Sequence, residues 1–344
     1  MTDLLQIVAE WSPWMQSRAD MLDREAAFPA EEFDLLRGIG ALSGPLPVGE
    51  LAPLLALVGQ GNLSVGRILE AHVNALHLIA RYGTAAPWHT DCLFGLWVTD
   101  PPHNGLRMWL SGDRVLLSGG KQFCSGAGFT TGALVTARDP AGDTRMLVLR
   151  LGIGETVTLL PSPLQGMRAA VTGAVDFTGC ETGREALLGQ PGDYLREPDF
   201  SAGAWRGSAV ALGGLIALLD QAIVQLRASG RFDSPHAQAR LGRALIARET
   251  SRLWVQTAAR TAEDPSADPA HRVAIVGLAR IAVETACLDA MRLVQRSLGL
   301  SAFRQGNAVE RICRDLSTYL RQPAPDEVLT EAATWFADHP AASA

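Results

Sequence analysis

Lysine is almost absent from this 344-residue chain, since Lys121 is the only one and arginine supplies the other basic residues. The arginines are scattered, the formal net charge is −6, and no basic run offers a surface to a phosphate backbone. Nucleic-acid binding is therefore not expected. Scattered arginines of this kind are typical of solvated helix faces.

Paired cysteines are also absent. No two of the five cysteines have the C-x-x-C spacing, which argues against a zinc site and against a disulfide framework in a chain of this length. We expect reduced thiols, no bound metal and a cytoplasmic location. The five are Cys92, Cys124, Cys180, Cys287 and Cys313.

No apolar run reaches the roughly 20 residues that cross a bilayer. The most apolar run, Ala209–Leu219, is bounded by Arg206 and Asp220 and predicts a buried core helix. The first residues contain Asp3 and no basic region, so we expect no signal peptide. With 47% hydrophobic and 19% charged residues, the composition is that of a soluble globular protein.

Hydrophobic periodicity divides the chain into three parts. Residues 1–92 have helical spacing, including a helix that Asn62 would cap and that would run to Tyr82. Residues 93–198 are short apolar runs between turn residues, which predicts an antiparallel barrel or sandwich. Residues 199–344 carry long helical patterns typical of a four-helix bundle. The predicted fold class is α+β with three domains.

Two stretches of the middle domain carry a family motif. Trp97–Pro101 is similar to a Val-Thr-Glu-Pro strand end, and Leu117–Gly126 is similar to a Gly-x-Lys-x-aromatic-Ile-Thr/Ser strand. Together with the domain order, they resemble the acyl-CoA dehydrogenase family of FAD-dependent enzymes, of which this chain would be a short, divergent member. The resemblance implies that Thr99 contacts the flavin ring, that Phe123 lies against it, and that Ser125 donates a hydrogen bond near N5. An ordinary strand would instead turn its lysine outward and Phe123 inward.

Two further stretches extend the resemblance. Gly166–Arg168 resembles the family's Gly-x-Arg strand. Arg231 would bind the FAD pyrophosphate, and a segment with Gln295 and Gly299, supplied by a partner subunit, would cap it. The resemblance therefore implies a homo-oligomer, a dimer or tetramer, whose flavin site is shared between subunits.

The family's catalytic glutamate has no counterpart in this alignment. In the family it lies on a loop after an Arg-Asp helix or, in a minority of members, at the start of the first bundle helix. The first position falls near Pro323 and the second near Trp205, just before Arg206. Asp326 and Glu327 are the carboxylates close to the first position, and either would serve after a slip of one helical turn.

Three functions stay open. The first is FAD-dependent α,β-dehydrogenation of an acyl thioester bound to CoA or to a carrier, with Asp326 or Glu327 as the base and an unknown electron acceptor. The second is a flavin-dependent oxidase or monooxygenase that dispenses with the glutamate. The third is a non-catalytic relative. The second hypothesis places four polar side chains around the ring: His72, His77, Ser125 and Arg206. The first hypothesis needs the fewest assumptions.

Overall fold

The structure, a computed structural model, describes residues 3–83, 91–159 and 164–340. Helices form both ends of the chain and strands its middle, as the periodicity predicts. The helices are α1 (Asp3–Glu25), α2 (Ala30–Gly38), α3 (Val48–Gly61), α4 (Leu63–Tyr82), α5 (Asp199–Ala202), α6 (Trp205–Ala228), α7 (Pro235–Glu263), α8 (Pro269–Leu298), α9 (Ala308–Tyr319) and α10 (Pro325–Asp338).

The middle of the chain forms two sheets. The larger has the strand order β10-β6-β5-β2-β3-β9, with β1 paired to β5, and the smaller has the order β4-β8-β7. The strands are β1 (Phe94–Trp97), β2 (Arg107–Ser111), β3 (Arg114–Ser118), β4 (Gly120–Cys124), β5 (Gly132–Arg138), β6 (Thr144–Arg150), β7 (Thr156–Leu159), β8 (Gly173–Asp176), β9 (Glu181–Gly183) and β10 (Leu187–Leu188). Most neighbours are antiparallel, but β1 and β2 both run parallel to β5, so the larger sheet is mixed where we expected it to be antiparallel.

The first helical domain packs closely against the bundle. Asn62 caps α4 by accepting a hydrogen bond from the Ser64 N–H at 2.9 Å, which confirms the predicted helix start. Glycines let α3 and α6 approach backbone to backbone, since a Cβ on Gly213 would lie 2.1 Å from the Ala56 carbonyl oxygen. α3 and the middle of α6 are thereby held in a fixed relation.

One ionic junction joins all three parts of the chain. Arg314 of α9 donates to Asp23 of α1 at 2.7 Å, and Asp315 accepts from the Met167 N–H at 2.6 Å. A Cβ at Gly166 would lie 2.2 Å from the Arg314 carbonyl oxygen, so only glycine fits there. Burial raises the pKa of Asp315 to about 6. The Gly-x-Arg stretch and the Arg-Asp helix thus form one structural contact.

Two helices, α3 and α10, add detail to the helical parts that the periodicity predicts. α3 covers Val48–Gly61, before the helix capped by Asn62, and α10 begins at Pro325, after the Arg-Asp helix α9 ends at Tyr319. Asp199–Ala228 is long and apolar enough to cross a membrane by length and composition, but 67% of its apolar window is buried in this fold. It is the core helix that the apolar run predicted.

Candidate functional site

The single lysine anchors the end of β1. The Lys121 side chain is 1% exposed, and its Nζ donates to Asp100 Oδ1 at 2.5 Å and to Thr136 Oγ1 at 2.9 Å. Burial lowers the pKa of Lys121, while the Asp100 carboxylate acts in the opposite direction. An ordinary strand would have turned this lysine outward, and the structure turns it inward.

The Phe123 side chain points outward, whereas that of Lys121 points inward. The pairing of β4 with β8 slips between Lys121 and Cys124, and Phe123 there has a φ of 56°. A left-handed backbone at a bulky residue costs of order 1–3 kcal/mol, and here it leaves the ring 50% exposed. The bulge therefore presents a strained, outward aromatic face, a feature that active and binding sites often contain.

Hydrogen bonds connect the segment at the end of β1, which contains Thr99, to the segment that contains Phe123 and Ser125. The Gln122 N–H donates to the Thr99 carbonyl at 2.9 Å, and Trp97 Nε1 donates to the Ser125 carbonyl at 3.0 Å. Within the described residues, the hydroxyls of Thr99 and Ser125 form no hydrogen bond. We call Thr99, Phe123 and Ser125, which lie on these two connected segments, the ring-contact edge: it has one half-exposed aromatic side chain and two hydroxyls without partners among the described residues.

α4, whose Ile68 would lie 4.0 Å from a Cβ added at Gly126, carries a stripe of polar side chains. The residues that share the stripe have the spacing of one helix face: Arg67, Glu70, Asn74 and His77. We call them the α4 polar face. Glu70 is 8% exposed, so it is not a surface group, and it pairs with Arg67 of the same helix.

Glu70 is fully engaged by its neighbours. It pairs with Arg67 and accepts from Asn74 Nδ2 at 2.7 Å, and Tyr319 Oη lies 3.5 Å away. Burial raises the pKa of Tyr319 well above its usual value, so this hydroxyl keeps its proton. The helical spacing of polar residues was the available signal for this cluster, but the partner Tyr319 lies 249 residues away along the chain.

Arg206, at the start of α6, completes the cluster. It is 3% exposed and donates to Asn74 Oδ1 at 2.9 Å, to Glu263 Oε1 at 2.7 Å and to His77 Nδ1 at 3.2 Å. Burial, then the charge of Arg206, lowers the pKa of His77. The structure thus brings Arg206 and His77 together, and it adds Glu263, which the sequence pattern did not single out.

His72 is a satisfied core residue. Its side chain is fully buried, with Nε2 3.1 Å from the Leu42 carbonyl and Nδ1 3.1 Å from the Phe94 N–H. The carbonyl can only accept and the N–H can only donate, so the neutral ring carries its proton on Nε2. Burial lowers the pKa of His72 to about 4. The residue joins α4 to β1 and to the segment before α3.

The expected catalytic carboxylates lie on α10. Asp326 and Glu327 are exposed in its first turn. The loop before them is held by α8, where Arg280 donates to the Pro323 carbonyl and Glu284 pairs with Arg321. The two positions implied by the resemblance are occupied by Pro323 and Trp205, and neither residue is an acid; the carboxylate that lies next to Trp205 and Arg206 belongs to Glu263 of α7.

The expected pyrophosphate contacts lie at the opposite end of α6 from Arg206, about 36 Å away for a helix of this length. Arg231 is exposed and donates to the Leu298 carbonyl at 3.0 Å, next to Gly299. Gln295 is half-buried one turn earlier on α8 and contacts Cys313. A phosphate at Arg231 would therefore meet Gly299 of the same chain, whereas the resemblance assigned Gly299 to a partner subunit.

Solved structures provide the informative comparison. FMN-bound TdsC from Paenibacillus sp. A11-2 superposes with a TM-score of 0.87 at 18% identity, covering 98% of this chain and 97% of that one. A nitrososynthase from Micromonospora carbonacea var. africana gives 0.82 at 20% identity, covering 99% and 97%. A glutaryl-coenzyme A dehydrogenase complex gives 0.81 at 20% identity, covering 95% and 92%. Comparisons with family models and with curated proteins find no match.

The chain has the acyl-CoA dehydrogenase fold. The predicted helix–β–helix architecture is confirmed along nearly the whole length of the chain.

The ring-contact edge fits a flavin on its own chemistry. A planar conjugated ring needs a flat apolar contact and a few placed donors, and Phe123, Thr99 and Ser125 supply both. The Arg231 guanidinium is exposed beside Gly299 and can pair with phosphate oxygens. No group of three or more His, Cys, Asp or Glu side chains in the described ranges could hold a metal ion.

Proposed function

We propose that this protein is a flavin-dependent oxidoreductase. The single observation that carries the proposal is the outward Phe123 ring on the same edge as two hydroxyls that have no partner among the described residues. An aromatic side chain held half-exposed by a strained backbone needs a partner to offset its cost. A flavin accepts two electrons and a proton from an organic substrate, which is the chemistry that oxidoreductases of this fold require.

The residues of the ring-contact edge contact different parts of the flavin in this proposal. Phe123 packs against one face of the ring, and the hydroxyls of Thr99 and Ser125 donate to its polar rim. Lys121 is a positioning residue, because its bonds to Asp100 and Thr136 fix the segment after β1 that contains Thr99. We further propose FAD as the flavin, with Arg231 of the partner subunit on the pyrophosphate, because Arg231 and Arg206 lie at opposite ends of α6; FMN, which TdsC binds, is the alternative. Comparing FAD and FMN retention decides between them.

For the reaction, the first candidate is α,β-dehydrogenation of an acyl thioester bound to CoA or a carrier. It requires a base that reaches the α proton, and Asp326 and Glu327 are the nearest carboxylates in sequence to the loop position. Anaerobic mixing with acyl-CoAs of several chain lengths tests it, because reduction bleaches the flavin absorption. In this mechanism, Asp326→Asn or Glu327→Gln abolishes bleaching, and bleaching by both variants at the original rate excludes both residues.

A flavin-dependent oxidase or monooxygenase is the second candidate. It is favoured because neither Pro323 nor Trp205, the residues at the two aligned positions, is an acid, and because Asp326 and Glu327 are exposed. TdsC, described as a dibenzothiophene monooxygenase, and the nitrososynthase share the fold. If this candidate is correct, acyl-CoAs leave the flavin oxidised, and chemically reduced protein consumes oxygen with substrate-dependent product formation.

We also propose a homo-oligomer whose subunits share the flavin site. Leu300 is 83% exposed and Phe303 59% exposed, directly after Gly299. Large apolar side chains this accessible, next to a candidate phosphate contact, suit burial against a second copy of the chain. Light scattering gives the number of subunits in the assembly. Leu300→Asp is expected to lower the mass of the assembly and to reduce flavin retention.

A further inference from the structure

A cavity of about 30 Å³ lies where the first helical domain meets the bundle, between α1, the end of α3, the middle of α6 and the start of α9. Its polar wall groups are four side-chain amides and one guanidinium: Gln16, Gln60, Asn62, Gln221 and Arg311. None of the described residues on the wall is an acid. Arg311 therefore gives the cavity a positive charge.

Arg311 is a buried cation without a hydrogen bond. Its side chain is 8% exposed, and its Nε–H has no partner among the described residues. In the part of the chain that the structure describes, only Asp315 comes within ion-pair distance, at 3.6 Å from Nη1, which is beyond hydrogen-bond range. Asp315 itself accepts from the Met167 N–H at 2.6 Å. Buried donors left this way cost free energy until an acceptor meets them.

The wall also contains the starts of two helices. Leu63 is the first residue of α4, and Ala308 is the first residue of α9. The first N–H groups of a helix have no partner within the helix and carry partial positive charge, which favours an anion. These helix starts and the Arg311 guanidinium are independent features that favour the same kind of ligand.

The amides add neutral donors. Gln16 Nε2 donates to the Gln60 carbonyl at 3.1 Å, and Gln60 Nε2 donates to Asp220 Oδ2 at 3.0 Å. Each amide nitrogen carries a second hydrogen. The Gln221 side chain has no hydrogen bond among the described residues. The wall therefore keeps N–H donors from three glutamines, and Asp220 is held by Gln60 and is not on the wall.

We propose that this cavity is a binding site for one small inorganic anion, such as chloride, held by Arg311 and the glutamine amides. The volume is that of about two waters, or of one chloride and a water, and is too small for sulfate or an organic acid. The half-buried glutamines give the ion a path to solvent. The bound anion joins α9 to α1, α3 and α6, and it requires neither the ring-contact edge nor flavin.

Chloride is the probe, and denaturant unfolding of the full chain is the first measurement. Chloride replaces gluconate, which is too large for the cavity, up to about 0.2 M at constant ionic strength, so that the screening of other charges does not change. We expect the unfolding equilibrium constant to fall about tenfold and to reach a plateau, because one charge-assisted hydrogen bond is worth about that factor. The titration is done with and without FAD.

Gln221→Glu tests the charge of the site. It places a carboxylate on the cavity wall at a half-buried position that has no hydrogen bond to lose. The carboxylate repels the anion, so we expect the chloride dependence to disappear. Gln256→Glu makes the same change at an exposed position of α7 and should keep the full dependence. The two variants have the same net charge, so general salt effects cancel between them. Ala217→Leu, which fills the cavity, replaces Gln221→Glu if that variant does not fold.

Crystals grown in bromide locate the ion. We expect an anomalous peak within about 3.5 Å of an Arg311 side-chain nitrogen in the original protein and none there in Gln221→Glu. Unfolding that is independent of chloride would overturn the proposal and would mean that the cavity holds water. Full chloride dependence in Gln221→Glu, or bromide only at other places on the surface, would also overturn it, because the effect would then come from an adventitious ion only. Chloride dependence in a protein that retains no FAD would count against the flavin proposal alone.

Discussion

The ring-contact edge and the α4 polar face differ in whether their polar groups have hydrogen-bond partners. On the α4 polar face, Glu70 has Arg67, Asn74 and Tyr319 around it, and the guanidinium end of Arg206 is paired. On the ring-contact edge, the hydroxyls of Thr99 and Ser125 have no partner within the described residues, and Phe123 is strained and half-exposed.

This difference distinguishes polar groups that stabilise the fold from polar groups that are available to bind a ligand. Buried groups that satisfy one another stabilise one arrangement of helices, and removing one of them leaves the rest unpaired. Groups without partners cost free energy until a ligand meets them. Changes on the α4 polar face should therefore reduce stability, and changes on the ring-contact edge should reduce flavin affinity.

The largest expected effect comes from Glu70→Ala. It removes the shared acceptor of Arg67, Asn74 and Tyr319 and should lower the free energy of unfolding by about 3 kcal/mol, with flavin affinity unchanged. Denaturant unfolding measures it. Glu181→Ala, which breaks the exposed 3.3 Å pair with Arg114, is the control and should cost less than about 1 kcal/mol. Equal costs would mean that the α4 polar face is not a structural network.

His72 gives the next effect, and it depends on pH. Its folded pKa of about 4 lies below the ordinary 6.5, so the unfolded chain takes up the proton first. The stability due to neutral His72 is present above pH 6.5 and is lost as pH falls toward 4. Between pH 7.5 and pH 5, the original protein should lose about 2 kcal/mol more than His72→Gln.

Asp315 does not disturb this comparison. Its raised pKa of about 6 acts in the opposite direction: its contribution is present at low pH and is lost as pH rises through 6. It is common to both proteins and cancels in the difference. Parallel curves of stability against pH for the original protein and His72→Gln would contradict the assignment of His72 as a neutral core residue.

Phe123→Ala should weaken flavin binding about tenfold, or about 1.4 kcal/mol, and leave the melting temperature nearly unchanged. Phe129→Ala is the matched control, because Phe129 is 51% exposed six residues later but stacks on Phe28 at 4.7 Å. Titration of flavin fluorescence gives both affinities. If the two variants lose affinity equally, the outward Phe123 ring is not the flavin contact.

The smallest expected effect is that of Arg231→Ala. Loss of the charge near the FAD phosphates should weaken FAD retention about fivefold, or about 1 kcal/mol. The lost bond to the Leu298 carbonyl at the end of α8 should cost less than about 1 kcal/mol of stability. Arg231→Lys, which keeps the charge, separates the two contributions. Unchanged FAD affinity in Arg231→Ala would remove this residue from the site.

Local chemistry explains what was predictable from the sequence. Asn62 caps α4 through a neighbour two residues away. The apolar run of α6 predicts a buried helix without any knowledge of which elements pack against it. The orientations of Lys121 and Phe123 were harder to predict from the sequence, because the burial of the lysine depends on Asp100, 21 residues earlier in the chain. The burial of Glu70 depends on Tyr319, which only the tertiary fold brings near.

The most direct test of the account is the visible absorption spectrum of the purified protein after mixing with FAD or FMN and removing the free flavin by gel filtration. The account predicts a retained oxidised-flavin band in the original protein and a much weaker one in Phe123→Ala at equal melting temperature. A folded protein that retains neither flavin would contradict it. The ring-contact edge would then be part of a fold that serves a non-catalytic function.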